Sequence, residues 1–289
     1  MGSARLEQTL IEFPSRPDAY LLLGRIYFEQ GRSQAAVEAI KSALRIDPAA
    51  PGAQELLERA RADDGLTKNL SLFFDFYYRG EKQSKFKNAR ARIAILLDQA
   101  TLHTLRYFFM KPRPGDRVQV HFYDTDDYQS SLKPDSWSGG LFDGKIRIPL
   151  GDYNQNPARL KTIVFHEYAH AVIYRTAPNC PIWMNEGVAQ ALSGEKIAEV
   201  ESRLRGHRGS FFPADRMKTS FRGLSPEQAR LAYDMSYSMV EQLRRQKGFI
   251  GITKFLRELG GGGDFEAVFK KHFYKTYDRF YEDWKRSKT

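Results

Sequence analysis

One cysteine, Cys180, stands in the 289 residues. No disulfide can form within the chain, no cysteine-rich metal knuckle can be assembled, and a lone thiol reads as a structural side chain rather than a zinc ligand. Long apolar runs are also missing. No stretch of about 18 hydrophobic residues exists, so no transmembrane segment is expected. The opening MGSARLEQ has no signal-peptide core, and Met1-Gly2-Ser3 reads as an expression remnant. A bacterial envelope, periplasmic or secreted location is expected if a leader was removed, and a cytoplasmic one otherwise. Acidic residues are in the minority, 35 against 45 Lys and Arg, for a net charge of +10. Basic residues gather at Arg79 to Arg92 and at Arg203 to Arg222, but no nucleic-acid-binding module accompanies them. A solvated face is therefore expected and nucleic acid is not a partner; steering of an acidic substrate is the functional version of the same charge.

What is present is a globular composition, 42% hydrophobic and 13% aromatic, in a chain long enough for one good core and an appendage. The most informative text is Ala158 to Leu192. Asn156 can cap a helix with Pro157 in its first position, and apolar residues at Leu160, Ile163, Val164, Ala171 and Tyr174 carry it to about residue 175. On that helix His166 and His170 are four apart and share a face, so both imidazoles can reach one zinc ion while Glu167 sits beside them as a base. Chance could put three such residues on a buried helix, but a catalytic zinc needs a third protein ligand from elsewhere, and the sequel offers one. Glu186 lies on a second helix that starts after Pro181 and stops at Ser193-Gly194. Gly187 is expected to let the two helices approach.

His166-Glu167-x-x-His170 followed by Trp183-x-Asn185-Glu186-Gly187-x-Ala189 resembles the gluzincin zinc peptidases, in particular the peptidase MA-like domains. The resemblance implies one zinc ion per chain on His166, His170 and Glu186, with Glu167 as general base and metal-activated water as the attacking group. It also implies substrate contacts at Trp183 and along the strand that precedes the zinc helix, at Gly139, Gly140 and Leu141. The aminopeptidases of the wider group carry a glutamate on that strand; none is here, which points to an endopeptidase. Asn185 and Gln190 would support the ligands from behind, although the position of Gln190 is acidic in thermolysin-like enzymes. Ala232-Tyr233-Asp234-Met235-Ser236-Tyr237 is similar to the A-Y-x-x-S stretch of the same domains, making Tyr233 the expected oxyanion donor and Tyr237 the fallback.

Residues 17 to 50 carry Tyr20-x-x-Leu23-Gly24-x-x-Tyr27, then Ala36, Ile40, Ala43 and Pro48, a pattern that resembles one tetratricopeptide repeat. Leu6 to Phe13 read as the closing helix of an earlier repeat, and Pro51 to Ala62 as a capping helix. So short an array falls below the roughly three repeats that stand alone, so these helices either come from a longer array or lean on the rest of the chain. Helices of this type commonly hold a protein partner.

After Gly65 the period changes. Leu72 to Tyr78 alternate as a strand, Lys87 to about Met110 read as a helix, Val118 to Phe122 as a second strand and Tyr123 to Ser138 as a polar loop. Gly139 to Pro149 read as a third strand at a sheet edge, with Ile146 and Ile148 inward and Lys145 and Arg147 outward. Ser225-Pro226-Glu227-Gln228 opens a long helix with a capping box, running to about Lys247, and Asp264 and Thr276 cap two more. Gly260 to Gly263 lack the strand and the Gly-Lys-Ser/Thr of a phosphate cradle. The expectation is thus an α+β fold: tetratricopeptide-like helices over 1–65, then a peptidase-like unit over 66–289 with a small mixed sheet, the zinc helices and a helical C-terminal part. The expected function is zinc-dependent hydrolysis of peptide or protein substrates. The rival is an inert repeat-bearing scaffold with a zinc site.

Overall fold

In the computed structural model, residues 2–70, 73–78, 83–108, 117–132, 140–150, 156–207 and 209–288 are described. Four helices lead: α1 (Gly2–Glu12), α2 (Pro17–Glu29), α3 (Ser33–Ile46) and α4 (Ala53–Ala62). Pro17 begins α2 at a position where a missing N–H costs nothing. Ala36, Ile40 and Ala43 are fully buried where α3 meets α2, and Leu23, Tyr27 and Phe28 fill the space between turns. This small core holds no residue of the larger one, as expected for a repeat-type hairpin with a helix on either side.

The strands β1 (Thr67–Leu70), β2 (Phe74–Tyr78), β3 (Val118–Tyr123), β4 (Leu141–Phe142) and β5 (Ile146–Pro149) form one mixed sheet in the order β1-β2-β3-β5-β4. β2, β3 and β5 run parallel, and β1 and β4 are antiparallel at the two edges. The crossover from β2 to β3 is α5 (Gln83–Phe108). Period-two alternation sends Phe74, Phe76, Val120, Phe122, Ile146 and Ile148 to one face, where they meet Ile93 and Leu97 of α5 and Leu160 and Val164 of α7 (Pro157–Thr176).

Several expectations about this region are corrected. Where one strand over 139–149 was expected, residues 140–149 form a hairpin, β4 and β5, turning at Asp143-Gly144, so the strand at the sheet edge is β4 and β5 is internal. β1 was not foreseen, and Thr125–Leu132 form a short helix, α6, where a polar loop was expected. Lys145 and Arg147 do leave the Ile146 face, but they are 1% and 0% exposed instead of facing water. The repeat helices cover them.

That covered face is a buried ionic cluster built on Asp63, at the end of α4. Asp63 accepts hydrogen bonds from Lys145 Nζ at 2.6 Å, Tyr123 Oη at 2.6 Å and Arg147 Nη2 at 3.1 Å, with His121 Nδ1 also at 3.1 Å. Arg147 Nε in turn binds Asp143 at 3.1 Å, and Arg59 of α4 reaches Asp143 at 3.2 Å. Burial works against ionisation of Asp63, but His121, Arg147 and Lys145 around it hold its carboxyl well below the usual range. His121 itself is pushed down to about 4 by burial, with Asp63 opposing the shift. Lys145 also lies over the Phe28 ring, 3.6 Å from its centroid, and Gln119 Nε2 donates to the Glu29 carbonyl at 2.6 Å. The short repeat therefore leans on the sheet.

The rest is helical: α8 (Ile182–Ser193), α9 (Ile197–Gly206), α10 (Ala214–Lys218), α11 (Pro226–Gly260), α12 (Phe265–Phe273) and α13 (Tyr277–Arg286). The Ser225 capping box forms as expected, Gly248 (φ 64°) kinks α11 where the sequence broke it, and Asp264 and Thr276 cap α12 and α13.

Candidate metal centre

Asn156 caps α7 by accepting from the Arg159 amide at 3.0 Å. That fixed start sets the rotation of the helix. His166, Glu167 and His170 come to the wall of a cleft of about 1310 Å³, bounded by α7, α8, the start of α11, β4 and the capping helix α4. Pro181 starts α8, and Gly194 (φ 89°) ends it, so Glu186 returns to the two histidines.

Glu186 Oε2 lies 3.4 Å from Nε2 of His166 and 3.4 Å from Nε2 of His170, and the two nitrogens are 3.0 Å apart. A tetrahedral zinc with bonds of roughly 2.0–2.1 Å has ligand atoms about 3.3 Å apart, so this triangle fits the ion. Two further observations favour a cation over an accident of packing. Glu186 Oε2 is buried and makes no hydrogen bond. His170 Nδ1 faces Asn185 Oδ1 at 2.9 Å, which accepts its proton and leaves the Nε2 lone pair aimed at the other two ligand atoms. Burial disfavours charge on both partners, yet Glu186 and His170 override it: His170 is raised to about 9 and Glu186 is held down to about 2. His166, His170 and Glu186 are the three-ligand cluster among the described residues.

Glu167 is 5% exposed. Burial pushes its carboxyl up, with the histidines opposing, in the direction a proton acceptor at neutral pH requires. Gly140 sits so close that a Cβ there would lie 2.7 Å from Glu167 Oε1. A substitution at Gly140 would therefore shift the base as well as the strand, and Leu141 is the cleaner position for testing the edge.

The other expected site residues divide. Gly140 and Leu141 line the cleft, whereas Gly139 lies outside the described residues. Tyr233 also lines it, its ring centroid 6.4 Å from that of His166. Tyr237 does not: its hydroxyl donates to the Glu195 carbonyl at 2.9 Å, because it points along α11 toward α9. Trp183 is not a substrate contact. It is fully buried and stacks on Tyr277 at 5.5 Å and Phe280 at 6.1 Å, anchoring the back of α8. Gln190 lines the cleft and donates to Glu195 at 2.9 Å, so the residue that holds His170 from behind is Asn185.

Gly187 acts on a different neighbour from the one expected. It touches α11, where an added Cβ would collide with the Ser236 carbonyl and lie 2.6 Å from Val240. Since Glu186 precedes Gly187 and Tyr233 lies on α11, this contact sets their separation. Gly187→Ala is expected to cost about 1–3 kcal/mol in denaturant unfolding and to weaken metal retention; unchanged values for both would refute that role.

Sequence reading missed Glu195, Arg203 and Asp234. Arg203 grips Asp234 at 2.7 and 2.6 Å and Glu195 at 2.7 Å, fixing α9 to α11 beside the cleft. It also missed Glu55 and Glu58 on α4 and Arg159 on α7 as cleft residues. Only Arg159 had a signal, since it precedes His166 by seven, which is two helical turns on one face.

Residues 2–51 match the family model described as tetratricopeptide repeat, which supports a protein partner for α1 to α3. No curated protein and no solved structure matches the chain.

Proposed function

We propose that the chain is a zinc-dependent metallopeptidase, an endopeptidase whose repeat helices bind a protein partner or the substrate. The observation that carries this reading is the convergence of two imidazole nitrogens and a buried carboxylate oxygen without a hydrogen bond, at the wall of a cleft large enough for a polypeptide. His166, His170 and Glu186 would hold one ion. Zinc bound there supplies a water whose pKa falls toward ~7 and a Lewis acid for the scissile carbonyl. Glu167 takes the proton from the attacking water and delivers it to the leaving amine. Asn185 keeps His170 in the tautomer that presents Nε2. Tyr233 is the donor for the carbonyl oxygen as negative charge gathers on it. β4, with Leu141 and Phe142, is the edge strand beside the cleft, where an extended substrate would add.

Elemental analysis tests the ligand set. The purified protein is expected to carry one zinc per chain, lost on replacing His170 or Glu186 with alanine. Asn185→Ala should weaken zinc by about 10- to 100-fold, the usual effect of removing a group that orients a ligand. A wild-type protein that takes up no zinc after dialysis against it would end this reading. The repeat match favours a second one, a protein-binding scaffold without chemistry. Cleavage of a denatured protein, stopped by a chelator and restored by zinc, separates the two.

A further inference from the structure

The cleft holds charged groups that the chemistry above does not use. Among its cations, Arg222 is already paired with Glu55 at 2.7 Å. Arg159 and Arg230 are different. The Arg159 guanidinium makes no ion pair among the described residues. Arg230 has Glu195 Oε1 only at 3.8 Å, and Arg203 already holds that oxygen at 2.7 Å.

Both lie on the same helix faces as the site. Arg159, Thr162, Ile163 and His166 all line the cleft from α7, and Glu227, Arg230 and Tyr233 line it from α11. At 1.5 Å of rise per residue, Arg159 stands about 10 Å along its helix from His166, and Arg230 about 5 Å from Tyr233. Outside the metal site the cleft also carries Glu55, Glu58, Glu195 and Glu227. Arg222 holds Glu55 at 2.7 Å and Arg203 holds Glu195 at 2.7 Å, so the two weakly paired arginines share the walls with Glu58 and Glu227. Guanidinium groups in this state offer paired donors to a carboxylate.

We propose that Arg159 and Arg230 are specificity-determining residues that select an acidic side chain in the substrate; the proposal rests on the peptidase reading. An extended chain advances about 3.3 Å per residue, so the side chain that Arg159 meets lies roughly three residues from the cleaved bond. Arg230 meets one nearer to it.

The full-length zinc-loaded protein is given a degenerate peptide mixture and the products are sequenced by mass spectrometry. Aspartate and glutamate should be enriched about fivefold at one to four residues from the cut, the scale expected of two exposed ion contacts. The double variant R159E/R230E should replace that enrichment with one for lysine and arginine, and 0.5 M salt should flatten both, since the Debye length falls to only a few Å (about 3 Å at 1 M). Both side chains are on the surface, so the fold is not at risk. Cleavage with no acidic enrichment, or enrichment that survives charge reversal, overturns the proposal. A second readout needs no turnover: anisotropy of a labelled glutamate-rich peptide against its glutamine twin. If nothing is cleaved but the acidic peptide binds and R159E/R230E abolishes it, the peptidase reading fails while the anionic subsite stands. If nothing is cleaved and neither peptide is preferred, both fall.

Discussion

Glu167→Gln is expected to lower peptide hydrolysis by about 10³-fold, within the range for removing a positioned acid–base group, while zinc content stays at one per chain. Glutamine keeps the shape of the side chain, so its fit under Gly140 survives. What it loses is the ability to take a proton. Glu167 is not among the three converging ligand atoms, so the ion should not notice the change. Activity within a factor of a few of wild type would remove Glu167 from the mechanism. Loss of zinc together with activity would instead show that Glu167 acts as a ligand. The two quantities must therefore be measured on the same preparation.

Asp63→Ala is expected to destabilise the protein by about 3–5 kcal/mol, because it leaves the buried cations of Lys145 and Arg147 without their main partner. The measurement is the denaturant midpoint, and a loss below about 1 kcal/mol would mean that water or Asp143 takes over the role. The pH dependence has a definite sign. The Asp63 carboxyl is held well below 3.8 in the folded state, so its contribution is full above that ordinary value and disappears as pH falls below it. Wild type should therefore lose more stability than Asp63→Asn between pH 4 and pH 2. Equal slopes would contradict the assignment. Removing residues 1–65 should be worse than either substitution, since it uncovers Lys145, Arg147 and the face of β3 and β5 together.

How much of this was legible follows from the range of the interactions. The two histidines are four residues apart on one helix, and helical spacing is a local property, so their pairing could be read directly. Glu186 needed only the additional inference that Pro178 and Pro181 turn the chain back. Asn185 came with it. Trp183 was misread because it stands three residues before Glu186 and seven before Gln190, on the same side of α8 as these cleft residues, and nothing local announces that Tyr277 and Phe280 come to cover it. For Lys145 and Arg147 the alternation told the face correctly but not what lies on it. Their partner Asp63 is 82 and 84 residues away, and nothing local announces such a pairing. The β4–β5 turn did have a local signal, the Asp143-Gly144 dipeptide favoured in tight hairpins, which the alternating pattern on either side concealed. The eight residues of α6 bury Tyr128 with Leu132 partly covered, too little periodicity to be told from a polar loop. Gly187 was recognised as a point of close approach, but the partner came from α11, some fifty residues on.

The edge strand beside the cleft is two residues long, Leu141 and Phe142. An inhibitor that copies an extended peptide can gain only a couple of main-chain hydrogen bonds there, each worth about 0.5–1.5 kcal/mol net. A strand mimic alone would remain a weak drug lead. If the proposed zinc site holds, potency would have to come from a warhead that grips the ion, with selectivity supplied by whatever reaches past Phe142 along the walls.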